Sequence, residues 1–279
     1  MTDGARRRPG RADYYTYLFR LVLPLAAGLT YAAAAGAQET TAAIPSNPYD
    51  GPQTGQIATV EDGQTLTLAD GRQVRLVNIL APLDGEPLAA DARKHLAGLA
   101  LDRQIRWSYA GRRMDRYGRL LAYVYDTAAA DGAPSLQAAL VAAGLARVMG
   151  QPDTRDGLAP LLALEDEARR AGRGLWSRGA YRVRSAEANL WPFLNSVQIV
   201  EGAPVKLEHL KDRTYLNFGT DYTTDFSLTI SARDRKLFDA MPWRLEDLIG
   251  RRLRIRGWLE LRGGPLIEIT YPEQIEVVE

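Results

Sequence analysis

The sequence of 279 residues contains no cysteine, only two histidines and a near balance of positive and negative side chains. Without cysteine, disulfides and thiolate metal sites are excluded, and the fold must depend on its core alone. His95 and His209 lie far apart in the sequence, which disfavours a histidine-based zinc cluster. With 35 basic and 34 acidic residues, the chain is not a uniformly basic coat for a polyanion. An anionic ligand would therefore have to bind at a local basic patch.

Long hydrophobic runs are also scarce, and the most prominent one lies near the N-terminus. Arginines precede the run LVLPLAAGLTYAAAAGA, whose end carries the small residues that a signal peptidase recognises. We predict that residues 1–37 form a signal peptide, that the protein is periplasmic or secreted, and that no stable membrane span remains after cleavage. The alternative is an uncleaved inner-membrane anchor, for which the run of 17 residues is short. Cleavage would leave 30 basic and 32 acidic residues, so the mature chain would be slightly acidic.

After residue 37, the sequence predicts a tether followed by an ordered domain. Residues 38–54 contain three prolines and many small polar residues, which predicts a flexible tether. Over 55–181, period-two strands, Asp-Gly turns and amphipathic stretches predict three strands, a helix, two strands and two helices. This order indicates a small Greek-key barrel of the OB type with helices packed outside.

The C-terminal part is predicted to be a second, smaller OB-like β-barrel. We predict a linker over 182–195 and four strands within 196–279, with a helical insert in LFDAMPWRLEDLIG. In the strand RRLRIRGWLE, apolar residues alternate with arginines, so one face is expected to enter a core. The fold class expected for the chain is therefore mainly β with helices, that is, α+β.

Basic and aromatic residues are interleaved in one part of the first barrel. Between Arg93 and Arg119 there are eight basic residues and two acidic ones, together with Trp107, Tyr109 and Tyr117. OB barrels bind single-stranded nucleic acids through basic grooves and stacked aromatic rings. The alternative is that the aromatic rings belong to the core while the charged side chains form an ordinary solvated face.

The chain from about Gly55 to Ser177 resembles the thermonuclease family, which has the staphylococcal-nuclease-like fold. Five segments carry the resemblance in the same order: DGQTLTL, VRLVNILAP, DRYGRLLAYVY, LVAAGLARV and EDEARRAGRGLW. The resemblance implies an OB-type barrel with flanking helices. It also implies that active members cleave DNA and RNA phosphodiesters with one calcium ion. The last part of the chain is similar to a domain that follows the nuclease domain in some bacterial relatives, in YLNFG, RGWLE and PEQIEV.

Two arginines match the positions that neutralise the phosphate in the family. They are Arg75 in VRLV and Arg119 at the end of DRYGR. A guanidinium group suits this role because it donates two parallel hydrogen bonds to oxygen atoms. The resemblance therefore implies a phosphate clamp, and we predict that Arg113, Arg116 and Tyr117 extend the binding surface.

The acidic residues of the family's active site do not match. Gln64 and Leu80 stand where the resemblance implies aspartates that bind calcium, and Leu83 stands at the general base. Leucine offers no oxygen ligand to a hard cation, and loss of the base alone slows water attack by about 10²–10⁴-fold. We therefore predict no resident cofactor and a catalytically degenerate homologue that binds nucleic acid or another phosphate-bearing ligand through the retained arginine pair, with single-stranded DNA or RNA bound weakly.

Two other interpretations remain open from the sequence. In the first, Asp62, Asp84 and Glu86 form a rewired calcium site, and the protein is an active metal-dependent phosphodiesterase or endonuclease. In the second, the cleft made apolar by Leu80 and Leu83 holds a segment of an envelope protein, so the protein is a scaffold.

Overall fold

The first part of the chain folds into a closed five-stranded barrel with three helices around it. The structure, a computed structural model, describes residues 53–130 and 132–278. Along the chain the elements are β1 Thr54–Asp62, β2 Thr65–Leu68, β3 Gln73–Leu76, β4 Ile79–Leu80, α1 Ala89–Ala100, β5 Gln104–Met114, β6 Leu120–Asp126, α2 Leu136–Ala142, β7 Arg147–Val148 and α3 Leu158–Arg170. The barrel order is β1-β2-β3-β6-β5, and β5 pairs again with β1. Because β3 and β6 are parallel while the other neighbours are antiparallel, this is the predicted OB-type order.

Local sequence signals account for most of these elements. Apolar residues at helical spacing bury Ala92 and Leu96 of α1 against the barrel. Ser135 caps α2, since its hydroxyl accepts a hydrogen bond from the Ala138 N–H. Gly144 adopts a φ of 68° just after α2, which is the left-handed conformation that glycine tolerates best. Both ends of α2 are therefore set by local sequence signals.

The predictions for the N-terminus fall largely outside the described residues. The signal peptide of residues 1–37 lies wholly outside them, as does most of the tether. The predicted tether ends too late, however, because Thr54 already belongs to β1 and pairs with Arg106. Within the part of the chain that the structure describes, no helix is both long and apolar enough to cross a bilayer.

A second sheet is built from the remaining strands. These are β8 Arg184–Ser185, β9 Ser196–Gly202, β10 Lys206–His209, β11 Arg213–Asn217, β12 Ser227–Ser231, β13 Leu253–Arg262, β14 Gly264–Ile269 and β15 Ile275–Val277. The order is β10-β11-β12-β14-β13-β9-β8, with β15 also on β13. Only residues 203–205 separate β9 from β10, so the two are halves of one interrupted strand, and β12 and β14 are parallel. The strand order and the parallel pair β12–β14 resemble the pairing in the first barrel, and a second OB-like barrel stays a prediction.

Two local predictions for this part are wrong. The insert before β13 is not an α-helix but two 3₁₀ turns, Arg235–Phe238 and Leu245–Leu248, separated by a segment that contains Pro242. Proline lacks an N–H and its ring clashes with the preceding turn, which prevents a continuous helix. Likewise, residues 182–195 are not only a connection, because β8 pairs in parallel with β9. The division into separate domains stays a prediction.

Arg256 of β13 contacts the first part of the chain instead of solvent. On one face of the strand, Leu253, Ile255 and Leu259 are fully buried in the second core, as the alternation predicts. On the other face, Arg256 donates hydrogen bonds to the Val148 carbonyl at 2.8 Å and to the Glu165 carboxylate of α3 at 2.6 Å.

Further contacts join the same two parts of the molecule. Arg256 also pairs with Glu276, which lies in β15. The Tyr271 hydroxyl accepts a hydrogen bond from the Gly150 N–H, and Arg155 pairs with Glu273 at 2.8 Å. Buried charges cost free energy unless they are paired and hydrogen-bonded. This network therefore fixes how the second sheet packs on α3 and β7.

Candidate nucleic-acid interface

Arg75 lies on the outer face of the barrel but is not exposed. It alternates along β3 with Val74 and Leu76, which point into the core, and it pairs across the sheet with Thr65 and Leu121. Only 8% of the residue is accessible. Burial lowers the pKa of Arg75 to about 10, because the charged form loses hydration.

Arg75 and Arg119 lie close enough to interact electrostatically. The positive charge of Arg119 contributes to the lowered pKa of Arg75, while the carboxylates of Asp62 and Asp115 oppose that change. Two neighbouring guanidinium groups in a partly desolvated cleft are an arrangement that favours an anion between them. The two arginines that the resemblance singled out therefore lie near enough for their charges to interact, and the clamp itself stays a prediction.

Asp115 organises the turn that carries Arg119. Its carboxylate accepts hydrogen bonds from the backbone N–H groups of Tyr117 and Arg119, at 2.9 and 3.1 Å. The same carboxylate pairs with the Arg119 guanidinium at 2.7 Å, and both side chains are largely buried. Gly118, with a φ of 80°, closes the turn in a conformation that other residues adopt only with strain.

The predicted neighbours of the clamp divide into two groups. Arg116 stacks on the Tyr117 ring at 4.9 Å and donates a hydrogen bond to its hydroxyl, while Arg119 lies 5.6 Å from the same ring. Tyr117 is 48% exposed, so its ring is accessible beside the two arginines. Arg113 instead stacks on Tyr109 at 5.2 Å, further along β5.

Gln64 is part of the framework of the cleft. It is almost fully buried, and its side-chain oxygen accepts a hydrogen bond from the Ala81 N–H at 3.1 Å. Next to it, a Cβ on Gly63 would lie 2.8 Å from the Cβ atoms of both Ala81 and Ala92, so only glycine fits. The amide therefore ties the β1–β2 turn to the segment after β4, at the position where the family resemblance implies a metal ligand.

The two leucines at the other acidic positions differ in exposure. Leu80 is buried in β4, where it pairs with Arg147 of β7. Leu83 is half-buried, and its backbone N–H donates a hydrogen bond to the Glu86 carboxylate at 2.8 Å. The cleft therefore does not expose a continuous leucine surface.

The acidic residues predicted for a rewired calcium site make local hydrogen bonds or are exposed to solvent. Asp62 accepts hydrogen bonds from the Gln64 N–H and the Thr65 hydroxyl, at 2.8 and 3.1 Å. Glu86 bonds to the Leu83 backbone, and Asp84 is exposed to solvent. Over residues 53–130 and 132–278, no three histidine, aspartate or glutamate side chains are grouped so that they could hold a metal ion. The oxygen donors present at the cleft thus do not fit calcium, which takes six to eight oxygen ligands.

Sequence reasoning missed two features of this region. Asp115 was not recognised as the partner of Arg119, although an aspartate four residues before an arginine across a Gly-containing turn is a usable signal. Trp107, for which a stacking role was open, is buried in the barrel core with Arg72 over its ring at 5.1 Å. It is therefore not a platform for bases.

Comparison with known proteins agrees with the fold and the motifs. The family described as staphylococcal nuclease homologue matches residues 73–178. A protein of Shigella flexneri named micrococcal nuclease is 33% identical over 133 residues, which cover 44% of this chain and 73% of the relative. An uncharacterized endonuclease of Escherichia coli O157:H7 is 36% identical over 126 residues, which cover 44% of this chain and 76% of the relative. The chain therefore belongs to the staphylococcal nuclease homologue family.

Proposed function

We propose that this protein is a catalytically degenerate member of its family that binds single-stranded DNA or RNA through Arg75 and Arg119. The observation that carries the proposal is a contrast within one cleft. The two cationic groups suited to phosphate lie near enough for the charge of Arg119 to act on Arg75, whereas the positions for metal ligands and general base hold Gln64, Leu80 and Leu83. The site thus keeps the chemistry for binding a phosphodiester and lacks the groups for activating water.

The chemistry of the clamp supports binding to a phosphate anion. Approach of an anion would offset the repulsion between the two guanidinium groups that lowers the pKa of Arg75. Tyr117 and Arg116 at the rim add an exposed ring and a further positive charge, on which a base could stack. Export remains part of the proposal and rests on the sequence of residues 1–37.

The two alternatives receive less support. An active calcium-dependent nuclease would need acids that approach one another, but Asp62 and Glu86 are engaged by their own turns. A scaffold that holds a partner in a leucine-lined cleft would need Leu80 to be accessible, and this residue is buried. Both alternatives are therefore secondary.

The direct test replaces the two arginines together. The Arg75→Ala/Arg119→Ala variant is expected to lose most of its affinity for a fluorescein-labelled single-stranded oligonucleotide in an anisotropy titration at low salt. A matched control is Arg170→Ala/Arg233→Ala, which removes two arginines whose side chains are 71% and 91% exposed elsewhere. Arg75→Lys/Arg119→Lys keeps the charges but not the planar donors, so an intermediate affinity is expected. Equal binding by the alanine variant would disprove the clamp.

A further inference from the structure

We propose that the second sheet carries a separate binding site for a short neutral oligosaccharide. The site is a groove of about 270 Å³ on the outer face of β11 and β12, near the lower limit of roughly 300 Å³ for small-molecule clefts. Its lining includes Asn217, Ser227 and Leu266 together with the rings of Tyr215 and Tyr222. This face of an OB-like barrel is the one that in general binds oligonucleotides or oligosaccharides. The site is distinct from the arginine clamp and does not depend on the proposed function.

The aromatic side of the groove is held in place. Tyr222 is 66% exposed and lines the groove, so its ring is accessible to a ligand there. A Cβ on Gly264 would lie 2.3 Å from the Tyr222 carbonyl oxygen, and one on Gly263 would lie 3.8 Å from its ring. The two glycines therefore let the loop before β12 pack closely on the β13–β14 hairpin.

Hydrogen bonds within that loop add to its order. The Asp221 side chain accepts from the Thr223 N–H at 2.9 Å, and the Asp225 carboxylate accepts from the Asp221 N–H at 2.9 Å. A loop that is ordered before binding loses little conformational entropy when a ligand binds beside it. The backbone that carries the Tyr222 ring is therefore ordered before a ligand stacks on that ring.

The groove offers polar groups suited to hydroxyl groups. Ser227 donates a hydrogen bond to the Asn217 side-chain oxygen at 2.9 Å, and Asn217 in turn donates to Glu208 at 3.4 Å. Each carboxylate and amide oxygen has two lone pairs, so this chain retains acceptors for a ligand. Apolar ring faces beside such planar polar groups match the alternating C–H and O–H surfaces of a sugar.

The charges around the groove disfavour a polyanion. Glu208 lies in the groove and pairs with Lys206. Arg262, the one cation of the lining, is engaged by Glu260 at 2.5 Å and Glu268 at 3.1 Å. The groove and its ion-pair partners thus carry three carboxylates and two cationic groups. The excess negative charge repels phosphate groups. The groove therefore favours a neutral sugar chain over a nucleic acid.

The test is a titration of the whole protein with defined sugars. Chitotetraose, cellotetraose and maltotetraose are added at millimolar concentrations while saturation-transfer NMR and calorimetry record binding. We expect at least one of them to bind, and Tyr222→Ala to weaken that binding about ten-fold, because truncating an aromatic contact at a binding site has effects of this size. Tyr222→Phe keeps the ring and is expected to retain binding. Trp191→Ala, which removes another exposed aromatic ring outside the groove, serves as the control.

Three results would overturn this proposal. The first is that none of the three sugars binds the wild-type protein. The second is that Tyr222→Ala and Trp191→Ala bind the sugar equally well as the wild type. The third is that an octameric thymidine oligonucleotide displaces the sugar and depends on Tyr222, because the groove would then be a nucleic-acid site. Variants with the wild-type circular dichroism spectrum are used, so that a change in affinity does not reflect unfolding.

Discussion

At the scale of single residues, Gln64 illustrates how the cleft differs from a metal site. Its amide oxygen is committed to the Ala81 N–H in a buried position, where an unsatisfied donor is costly. A carboxylate one methylene shorter would not reach that N–H and would also bury a negative charge. Restoring an acid here therefore removes a structural contact without completing a calcium site, since Leu80 and Leu83 still offer no oxygen.

We predict that Gln64→Asp lowers the free energy of unfolding by about 1–3 kcal/mol, the cost of leaving a buried donor unpaired. Urea denaturation with and without calcium measures this, and calcium is expected to make no difference. Gln53→Asp, at an exposed position outside the strands, is the matched control and should change stability by less than about 0.5 kcal/mol. A calcium-dependent gain in stability for Gln64→Asp would contradict our account of the cleft.

At the scale of secondary-structure elements, Glu165 and Arg256 explain how α3 and β13 fit together. Glu165 occupies the buried stripe of α3 with Leu158 and Leu161, a position where a glutamate is normally disfavoured. Burial disfavours the charge of Arg256, but the carboxylates of Glu165 and Glu276 outweigh burial and raise its pKa. The guanidinium therefore stays charged and paired at any ordinary pH.

We predict that Arg256→Met lowers the free energy of unfolding by about 3–5 kcal/mol, because it leaves the buried Glu165 carboxylate without its charged partner. The double variant Arg256→Met/Glu165→Gln should recover part of this loss, since that stranded charge is then removed. Arg233→Met, at a side chain that is 91% exposed, is the control. Chemical denaturation of the wild type, the single Glu165→Gln variant and these three variants gives the comparison, and additive effects of the two substitutions would contradict a direct coupling.

This pair also marks how far the sequence could predict the structure. Local signals sufficed for the strands, the Ser135 cap and the turn at Gly118, because periodicity and turn chemistry act over a few residues. The alternation in β13 predicted its apolar face correctly. The burial of Arg256 could not be predicted, because its partner on α3 lies 91 residues away and only the packing of the two sheets brings them together.

The candidate site was predictable to a similar extent. Motif order placed Arg75 and Arg119, and the structure brings their charges together. The sequence did not reveal that Gln64 bonds to Ala81 or that Leu80 is covered, because both depend on how β4 and β7 pair. A scaffold would need Leu80 to be exposed. Whether this side chain is exposed or buried depends on tertiary packing and cannot be predicted from the local sequence pattern.

At the scale of the whole molecule, the second sheet packs against the first barrel and its helices. Tyr271 belongs to the same hydrophobic cluster as the core of the first barrel, although it lies near the end of the chain. Arg147 of β7 donates a hydrogen bond to the Val197 carbonyl of β9 at 2.9 Å. β7, which pairs with β4 at Leu80, thus also contacts β9 of the second sheet. The C-terminal part of the chain therefore supports the shape of the cleft.

We predict that a fragment of residues 53–181 does not fold cooperatively, because it leaves Glu165 without its partner and exposes the surface under Tyr271. The full chain from residue 53 to the C-terminus should show a single sharp thermal transition by circular dichroism. The Gln53→Asp variant of this longer chain is a control for expression and handling. A sharp transition for the fragment, at the same temperature as the full chain, would show that the second sheet is independent.

The most direct measurement of the central claim follows binding and cleavage of one single-stranded oligonucleotide in the same samples. Removal of residues 1–37 leaves more acidic than basic residues, so affinity should be modest even at low salt. If the clamp and its neighbours contact about four phosphates, log K should fall with log salt with a slope of about −2 to −3. The oligonucleotide should stay intact with and without calcium. Calcium-dependent cleavage, or the absence of any salt-dependent binding, would contradict the account.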